Sequence, residues 1–409
     1  MKVVQINTVF ATGSTGRIVL GLHNSIIESG NHSAVAYGRI TGEHRTGEDL
    51  YLVGNKADFV GHVLVNFFAG KSGFASTGNT RKLISWLDNI KPDIIHLHNL
   101  HGFYVNVELL FDYIKAHNIP VIWTLHDCWP LTGQCAHFDY AGCDKWMTGC
   151  HDCPIYRSNY PYSLFKDNSR DNYAHKMVSF CGVHNLTIVT PSNWLAGIVK
   201  QSFLKKYPVK VIPNGIDTSV FCPEATTSKS SNELNKSHVE GKRILLGVTN
   251  IWSKPKGLEY LLRLAEDLKD DPSYQIVLIG LNKLQISQIK KKHLSNVLPL
   301  MRTSSQKELV SWYQKAYALV NPTLEDTFPT TNLEALACGT PVITFNTGGS
   351  PESITSDCGI VVEKGNYEAL KEAVLSNREF DSAKCRARAM EYTLDAFKDK
   401  YMELYQSII

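Results

Sequence analysis

The sequence predicts an α/β protein made of two doubly wound domains facing across a cleft. Three observations carry that expectation. The chain has 409 residues, more than one typical hydrophobic core accommodates. Short β-branched runs alternate with helix-patterned segments almost throughout, as they do where parallel sheets are covered by helices on both faces. The turn-rich phrase VIPNGIDTSVFCP, beginning at Val211, interrupts the alternation before it restarts.

In the first half, strands are expected at Val3–Asn7, Ser33–Tyr37, Ile94–Leu97, Val121–Leu125, Thr187–Thr190 and Lys210–Ile212. Helical patterns lie between them, among them Gly16–Ser29, Thr80–Asn89 and Val105–Ala116. The apolar run Phe59–Phe68 reads as a helix buried in the first domain, with peripheral contact to a bilayer as the alternative. Past the hinge, the lysine- and serine-rich stretch Ala225–Gly241 reads as a mobile loop. Strands resume at Ile244–Val248, Gln275–Ile279, Leu319–Asn321 and Val342–Phe345. The expected domains are 1–212 and 213–381, with the helices of 382–409 returning to the first.

A net charge of +3, with no basic stretch laced with aromatics, gives no reason to expect a nucleic-acid partner. The N-terminus runs from a short strand straight into a glycine loop and lacks the apolar core of a signal peptide. No run of uncharged apolar residues is long enough to span a bilayer. A cytoplasmic location follows as the expectation, with peripheral membrane contact left open.

The most informative stretch is LEDTFPTTNLEALACGTPV, residues 324–342. Pro329 suits the first turn of a helix, Leu333, Leu336 and Ala337 recur at helical spacing, and Gly339 stops the pattern. The segment therefore reads as loop, helix, tight turn and strand. The first-turn N–H groups of Thr330, Thr331 and Asn332 would form an anion site, for which phosphate is the usual guest. Glu334, one turn in, is better placed to accept sugar hydroxyls. The plainer alternative is a capped helix in which Asp326 and Glu334 favour the positive end of the dipole.

Seven motifs occur in order along the chain: Gly13-Ser-Thr-Gly16, His126-Asp127, Ile212-Pro-Asn-Gly-Ile-Asp217, Lys256-Gly257, Asp326 to Glu334, Ala335-Leu-Ala-Cys-Gly-Thr-Pro341, and Gly348-Gly-Ser-Pro-Glu352. Together they resemble the retaining nucleotide-sugar glycosyltransferases of the GT-B fold, glycosyltransferase family 4, of the bacterial polysaccharide-assembly type. The resemblance implies that the second domain grips a UDP- or GDP-sugar, with Glu334 on the ribose and Asp326, which stands where the family usually has a glutamate, near the transferred sugar. Glu325 is the neighbouring substitute for Asp326. Lys256 would stabilise the leaving diphosphate. The family's preceding arginine is missing, and Lys254 is the candidate replacement.

Gly13 and Gly16 would admit the diphosphate from the first domain, with Arg17 adding charge. Their spacing is not that of a nicotinamide dinucleotide loop. His126 would face the sugar, and His96, His98 and His101 either line the acceptor side or pack. The acceptor would be a saccharide or lipid-linked sugar. Transfer would proceed with retention, without a required metal or other cofactor. The alternatives are a nucleotide-sugar-binding partner subunit without turnover, or another GT-B enzyme such as a nucleotide-sugar epimerase or a glycogen-type polymerase.

An insert at 128–154 carries Cys135, Cys143, Cys150 and Cys153. Its closing C-x-x-C and two further cysteines could form a tetrahedral structural zinc site, with Cys128, His137 and His151 as substitute ligands. Paired disulfides are disfavoured in a cytosolic chain, and four unpaired thiols are the plainest alternative.

Overall fold

The computed structural model describes residues 1–40, 47–224 and 241–409. Nearly all of the expected lysine- and serine-rich loop, 225–240, lies outside the described residues. The chain divides into two compact units, Met1–Pro213 together with Lys398–Ile409, and Asn214–Phe397.

The first unit alternates β1 (Lys2–Val9), α1 (Gly13–Glu28), β2 (His32–Arg39), β3 (Leu50–Leu52), α2 (Lys56–Ala69), α3 (Thr77–Ile90), β4 (Ile94–Leu97), α4 (Val107–His117) and β5 (Val121–Thr124). After the cysteine-bearing insert follow α5 (Ser169–Phe180), β6 (Leu186–Thr190), α6 (Asn193–Gln201) and β7 (Val209–Val211). The seven strands order as β3-β2-β1-β4-β5-β6-β7 and pair in parallel. Val4, Ile6, Ile95, Leu97, Val121 and Trp123 lie in its core, and helices supply Leu83, Leu110, Phe111 and Leu195. Strands buried on both faces explain the near-continuous apolar runs in the sequence.

The second unit repeats the scheme with β8 (Arg243–Val248), α7 (Leu258–Asp267), β9 (Tyr274–Ile279), α8 (Lys283–Lys291), β10 (Val297–Leu300), α9 (Gln306–Lys315) and β11 (Ala316–Asn321). It continues through α10 (Thr330–Ala337), β12 (Val342–Phe345), β13 (Gly359–Val362), α11 (Tyr367–Leu375), α12 (Ser382–Met390) and α13 (Leu394–Gln406). Its six parallel strands order as β10-β9-β8-β11-β12-β13. In both sheets chain order reverses beside the first strand, at β1/β4 and at β8/β11. Such switch points, at the carboxyl ends of the strands, are where open α/β sheets bind ligands.

Two expectations need correction. The return to the first unit begins at Lys398 within α13, not at Ser382. Helix α12 stays with the second unit because Arg386 donates to the carbonyls of Phe221, Ala337 and Thr218, and Arg388 to those of Ser353 and Glu352. Beyond Lys398, Tyr401 and Tyr405 are fully buried in the first unit, bonded to Thr124 and His96. The second correction concerns α2, which buries only His62 and Asn66 and turns Val60, Leu64, Val65 and Phe68 outward.

Candidate functional site

In the second unit the functional candidates sit on the loops that leave β8 and β11, the two strands at the switch point. A short 3-10 turn at Lys254–Lys256 presents Lys256, whose Nζ lies 2.6 Å from Asp326 Oδ2. Backbone joins the two loops: Leu324 N–H donates to the carbonyl of Pro255 at 2.7 Å. Asp326 is further fixed through Oδ1, which accepts from Phe328 N–H at 3.2 Å, and through its carbonyl, which accepts from Gly349 N–H at 3.1 Å. Gly348 makes this closure feasible: its φ is +55°, and a Cβ there would stand 1.9 Å from the Asp326 carbonyl oxygen. The sequence places Asp326, Lys256 and the Gly348-Gly349 motif far apart, and the fold brings them together.

Helix α10 opens behind this pair. Pro329 is its N-cap (φ −69°, ψ 116°) rather than a first-turn residue, and no side chain caps the helix. Of the three amides expected to form an anion site, Asn332 N–H already donates to the Pro329 carbonyl at 3.2 Å, so that expectation is corrected to Thr330 and Thr331. The Asn332 side chain is buried, accepting from Asn321 Nδ2 and donating toward Ser350 and Ser353, which ties α10 to β11 and the glycine motif. Glu334 Oε2 accepts a 2.7 Å hydrogen bond from the Tyr313 hydroxyl. Burial, reinforced by the Glu334 carboxylate, raises the Tyr313 pKa and keeps it a donor. One oxygen of Glu334 is thereby held in place at the helix entrance. Of the remaining candidates here, Glu325 is buried and Lys254 exposed.

In the first unit Gly13 opens α1, exposed and left-handed at φ +65°. Gly16 is buried, and its missing Cβ lets α1 approach the Val9 side chain and the Ala11 amide, each 3.2 Å from where that Cβ would lie. It serves helix–strand packing, whereas nothing lies within 4 Å of where a Cβ on Gly13 would stand. Arg17 is exposed on α1.

The histidines at the carboxyl ends of β4 and β5 form two networks. Gln5 Nε2 donates to the Val19 carbonyl, so its Oε1 is the acceptor at 3.3 Å from His98 Nε2. His98 must then carry its proton on Nε2 and accept on Nδ1 from His126 Nε2, 3.0 Å away. Burial brings the His126 pKa down to about 4, with Asp127 pulling it up and His101 pushing it down. His126 is thus a neutral imidazole whose Nε2 proton is committed to His98. His96 lies between the Tyr405 hydroxyl (2.7 Å) and Thr124 Oγ1 (2.8 Å) and is a packed core residue.

The second network was not singled out from sequence: Asp127 Oδ2 stands 2.6 Å from His101 Nε2, and Asp127 Oδ1 accepts from Trp129 N–H at 2.9 Å. Burial by itself would raise the Asp127 carboxyl, but His101, His137 and the Trp129 amide outweigh it and hold the pKa at about 2. The adjacency His126-Asp127 downstream of the IIHLHNLHG segment was the available signal.

Cys135, Cys143, Cys150 and Cys153 gather around one small cavity with Phe138 and Trp146. Among the described residues, however, no group of three or more His, Cys, Asp or Glu side chains is arranged to hold a metal ion, and all four cysteines are free thiols. The four thiols thus line one cavity without forming a ready metal site among the described residues. The insert is held by other means. Lys145 Nζ donates to the carbonyls of His151 and Asp152, and Asp167 accepts from Cys153 N–H and Ser169 N–H. Beneath it Lys176, fully buried, donates to the carbonyls of Trp129 and Thr132 and lies 3.5 Å from the Trp129 ring centroid. Burial brings its pKa down to about 7.

Comparison with known proteins identifies the family and the fold. Residues 15–220 match the family described as Glycosyltransferase Family 4, and residues 230–391 match Glycosyl transferases group 1. The chain is 25% identical to WcaC of Escherichia coli (strain K12), a glycosyl transferase assigned by name to colanic acid biosynthesis, with 100% of each chain covered. Among solved structures, sucrose-phosphate synthase from Thermosynechococcus elongatus superposes with a TM-score of 0.70 at 16% identity, covering 100% of this chain and 98% of that one. Anabaena HepE in complex with UDP superposes with a TM-score of 0.65 at 14% identity, covering 100% of both. The two parallel-sheet units are those of the GT-B fold.

Proposed function

The chain belongs to glycosyltransferase family 4, and from that premise we propose that it moves a sugar, with retention of configuration and without a catalytic metal, from a UDP- or GDP-sugar to a saccharide or lipid-linked acceptor in surface polysaccharide assembly. The observation that carries the reading is the second unit's switch point. There Lys256 and Asp326 stand on the loops that leave β8 and β11, and Thr330, Thr331 and Glu334 follow on helix α10. A cation and helix-start amides suit a diphosphate, and a carboxylate with one oxygen held by Tyr313 suits a ribose hydroxyl pair.

In this reading the donor diphosphate competes with Asp326 for Lys256. Drawing the ammonium onto the phosphates releases the Asp326 carboxylate toward the sugar, so one exchange prepares both ends of the glycosidic bond. As that bond breaks, Lys256 and the α10 amides oppose the charge growing on the leaving diphosphate. Its phosphate oxygen takes the acceptor's proton. The protein would work in the cytoplasm, in line with the location of nucleotide-sugar pools. WcaC's assignment to colanic acid and the UDP held by HepE support the acceptor class and the donor class.

The test is a thermal-shift panel of UDP-, GDP- and ADP-sugars, repeated on Glu334→Ala and Lys256→Ala. Stabilisation by one donor that both variants lose is the expected result. A folded protein indifferent to every donor would refute the reading. Turnover with an acceptor separates the enzyme from a binding subunit without catalysis.

A further inference from the structure

Arg39 closes β2 at the carboxyl edge of the first sheet, the edge on which the histidine networks lie. It stands in register with Val9, the last residue of β1. Its Nε is buried and has no hydrogen-bond partner among the described residues. The carboxylates of Asp49, Asp88, Glu108 and Asp127 form ion pairs in this unit, each with a histidine and none with Arg39. A guanidinium edge buried without a partner is costly, because its desolvation is not offset by a bond. Arginine cannot escape that cost by losing its proton, and such orphaned donors are rare in folded proteins.

The surroundings hold the guanidinium in place without neutralising it. Its carbon lies 5.3 Å from the Phe59 ring centroid, a cation–π seat that leaves the N–H groups open. Helix α2 carries Phe59 and is itself pinned: His62 Nδ1 lies 2.8 Å from Ser76 Oγ, and Asn66 Nδ2 donates to the Tyr162 carbonyl at 2.8 Å. Phe103 meets the Phe59 ring edge-on at 6.1 Å and the Tyr160 ring at 6.0 Å. Its backbone is left-handed, at φ +67°, a conformation that is strained for a bulky side chain and recurs where a site requires it.

Tyr160 joins this seat to the buried dyad. It is 37% exposed, and its hydroxyl lies 3.4 Å from His101 Nδ1, whose ring holds Asp127 from the other nitrogen. Burial pushes the Tyr160 pKa up to about 12, with Arg39 pulling it down and Asp127 adding to the rise. The hydroxyl therefore stays protonated within the field of both charges. Asp127 is committed to His101 and to the Trp129 amide, so it does not serve as the counter-ion of Arg39. What the seat lacks is an anion brought from outside, and what it offers beside the cation is an exposed aromatic ring with a hydroxyl, the usual bed of a saccharide.

We propose that Arg39 is an anion subsite for the acceptor: the saccharide that receives the transferred sugar is negatively charged, its anion held by the guanidinium and its ring by Tyr160. The inference rests on the glycosyltransferase reading and adds to it the charge of the acceptor. The planar fork of arginine suits a carboxylate and a phosphate alike, so the anion is that of a uronic acid or of a phosphorylated saccharide. A neutral saccharide would leave Arg39 unpaired, which builds discrimination into the site. Arg39 selects the acceptor and takes no part in bond breaking.

The test is titration of the full chain, followed by saturation-transfer NMR, with methyl glucuronide, glucose 1-phosphate and the neutral methyl glucoside, with UDP and GDP present to fill the donor site. The wild type should bind one or both anionic saccharides about tenfold more tightly than the neutral one, the worth of a charge-assisted bidentate contact. Preference for the glucuronide identifies a uronic acid, and preference for glucose 1-phosphate a phosphorylated acceptor. Arg39→Gln should abolish the preference while leaving methyl glucoside binding as it was, and Arg39→Lys, which keeps the charge at Phe59, should retain part of it. Because the native arginine is unpaired, Arg39→Gln should melt at or above the wild-type temperature, and its response to the UDP- and GDP-sugar panel should be unchanged. The two readings then fail separately: a protein indifferent to every donor that still selects anionic saccharides through Arg39 would refute glycosyl transfer and leave the anion subsite standing. Wild-type protein that binds all three saccharides alike, or none, would overturn the subsite. So would an Arg39→Gln variant that keeps the anionic preference, or one that loses it together with its stability, which would make Arg39 a packing residue.

Discussion

The two units carry the same sheet topology but spend their polar residues at the strand ends in opposite ways. The first commits buried neutral imidazoles to one another and to Gln5, Thr124 and Tyr405. The second presents a carboxylate–ammonium pair whose side chains keep 19% and 32% of their surface. A buried neutral network is sensitive to protonation and indifferent to salt, whereas a partly open ion pair is sensitive to salt and to a competing anion. One fold thus supports a rigid wall in one unit and an exchangeable charge in the other.

The largest expected effect of that difference is on acid stability. His126 is held at about 4 by burial against 6.5 in the unfolded chain, His62 likewise at about 4, and His96 and His98 are lowered too. Between these values the unfolded state binds more protons, so stability rises with pH. It is fully present above about 6.5 and is lost as pH falls toward 4. His126 alone accounts for on the order of 3 kcal/mol. Calorimetry between pH 7 and pH 4.5 should show the melting temperature falling, and hydrogen exchange should show β4 and β5 opening before β11 and β12. His126→Gln keeps a donor toward His98 and should flatten the acid limb. Equal acid sensitivity of both units would remove the contrast.

Next in size is a pair of left-handed glycines. At Gly348 an added Cβ would meet the Asp326 carbonyl, while at Gly13 nothing lies within 4 Å of it. Gly13→Ala should cost about 1 to 2 kcal/mol, the price of the backbone conformation alone. Gly348→Ala adds a steric clash to that conformation and should cost about 2 to 4 kcal/mol. It should also displace Asp326 and weaken nucleotide-sugar binding, as denaturant melts and thermal shift would show. Similar costs at the two positions would mean that the Asp326 loop yields freely.

Much of this contrast was legible in the sequence, but unevenly. Central strands such as Ile94–Leu97 and Val342–Phe345 were read at their observed bounds because they are buried on both faces and need no partner to be recognised. The unread strands β3, β10 and β13 are edge strands of three or four residues, half-exposed, and one contains Pro299, which an edge tolerates. The inversion of α2 depends on Ser76 and Tyr162, remote groups that hydrophobic periodicity does not contain. At the site, residue types and order marked Lys256, Asp326 and Glu334. The pairing of Lys256 with Asp326, 70 residues on, and of His96 with Tyr405, 309 residues on, arises only in three dimensions.

The smallest effect on stability is the most telling about function. Asp326→Asn removes the partner of Lys256, and because the pair is partly exposed it should change stability by less than about 1 kcal/mol. If Asp326 and the donor diphosphate compete for the same ammonium, the variant should bind UDP or GDP a few-fold more tightly, and the gain should shrink as salt is added. Turnover should fall all the same, because the carboxylate released toward the sugar is gone. Isothermal titration of wild type and variant at two ionic strengths reads the first effect, and single-turnover kinetics the second. Weaker nucleotide binding in the variant would show that Asp326 holds Lys256 in position for the phosphates instead of competing with them. The second unit would then be as fixed as the first, and the exchange of charge would have no place in the mechanism.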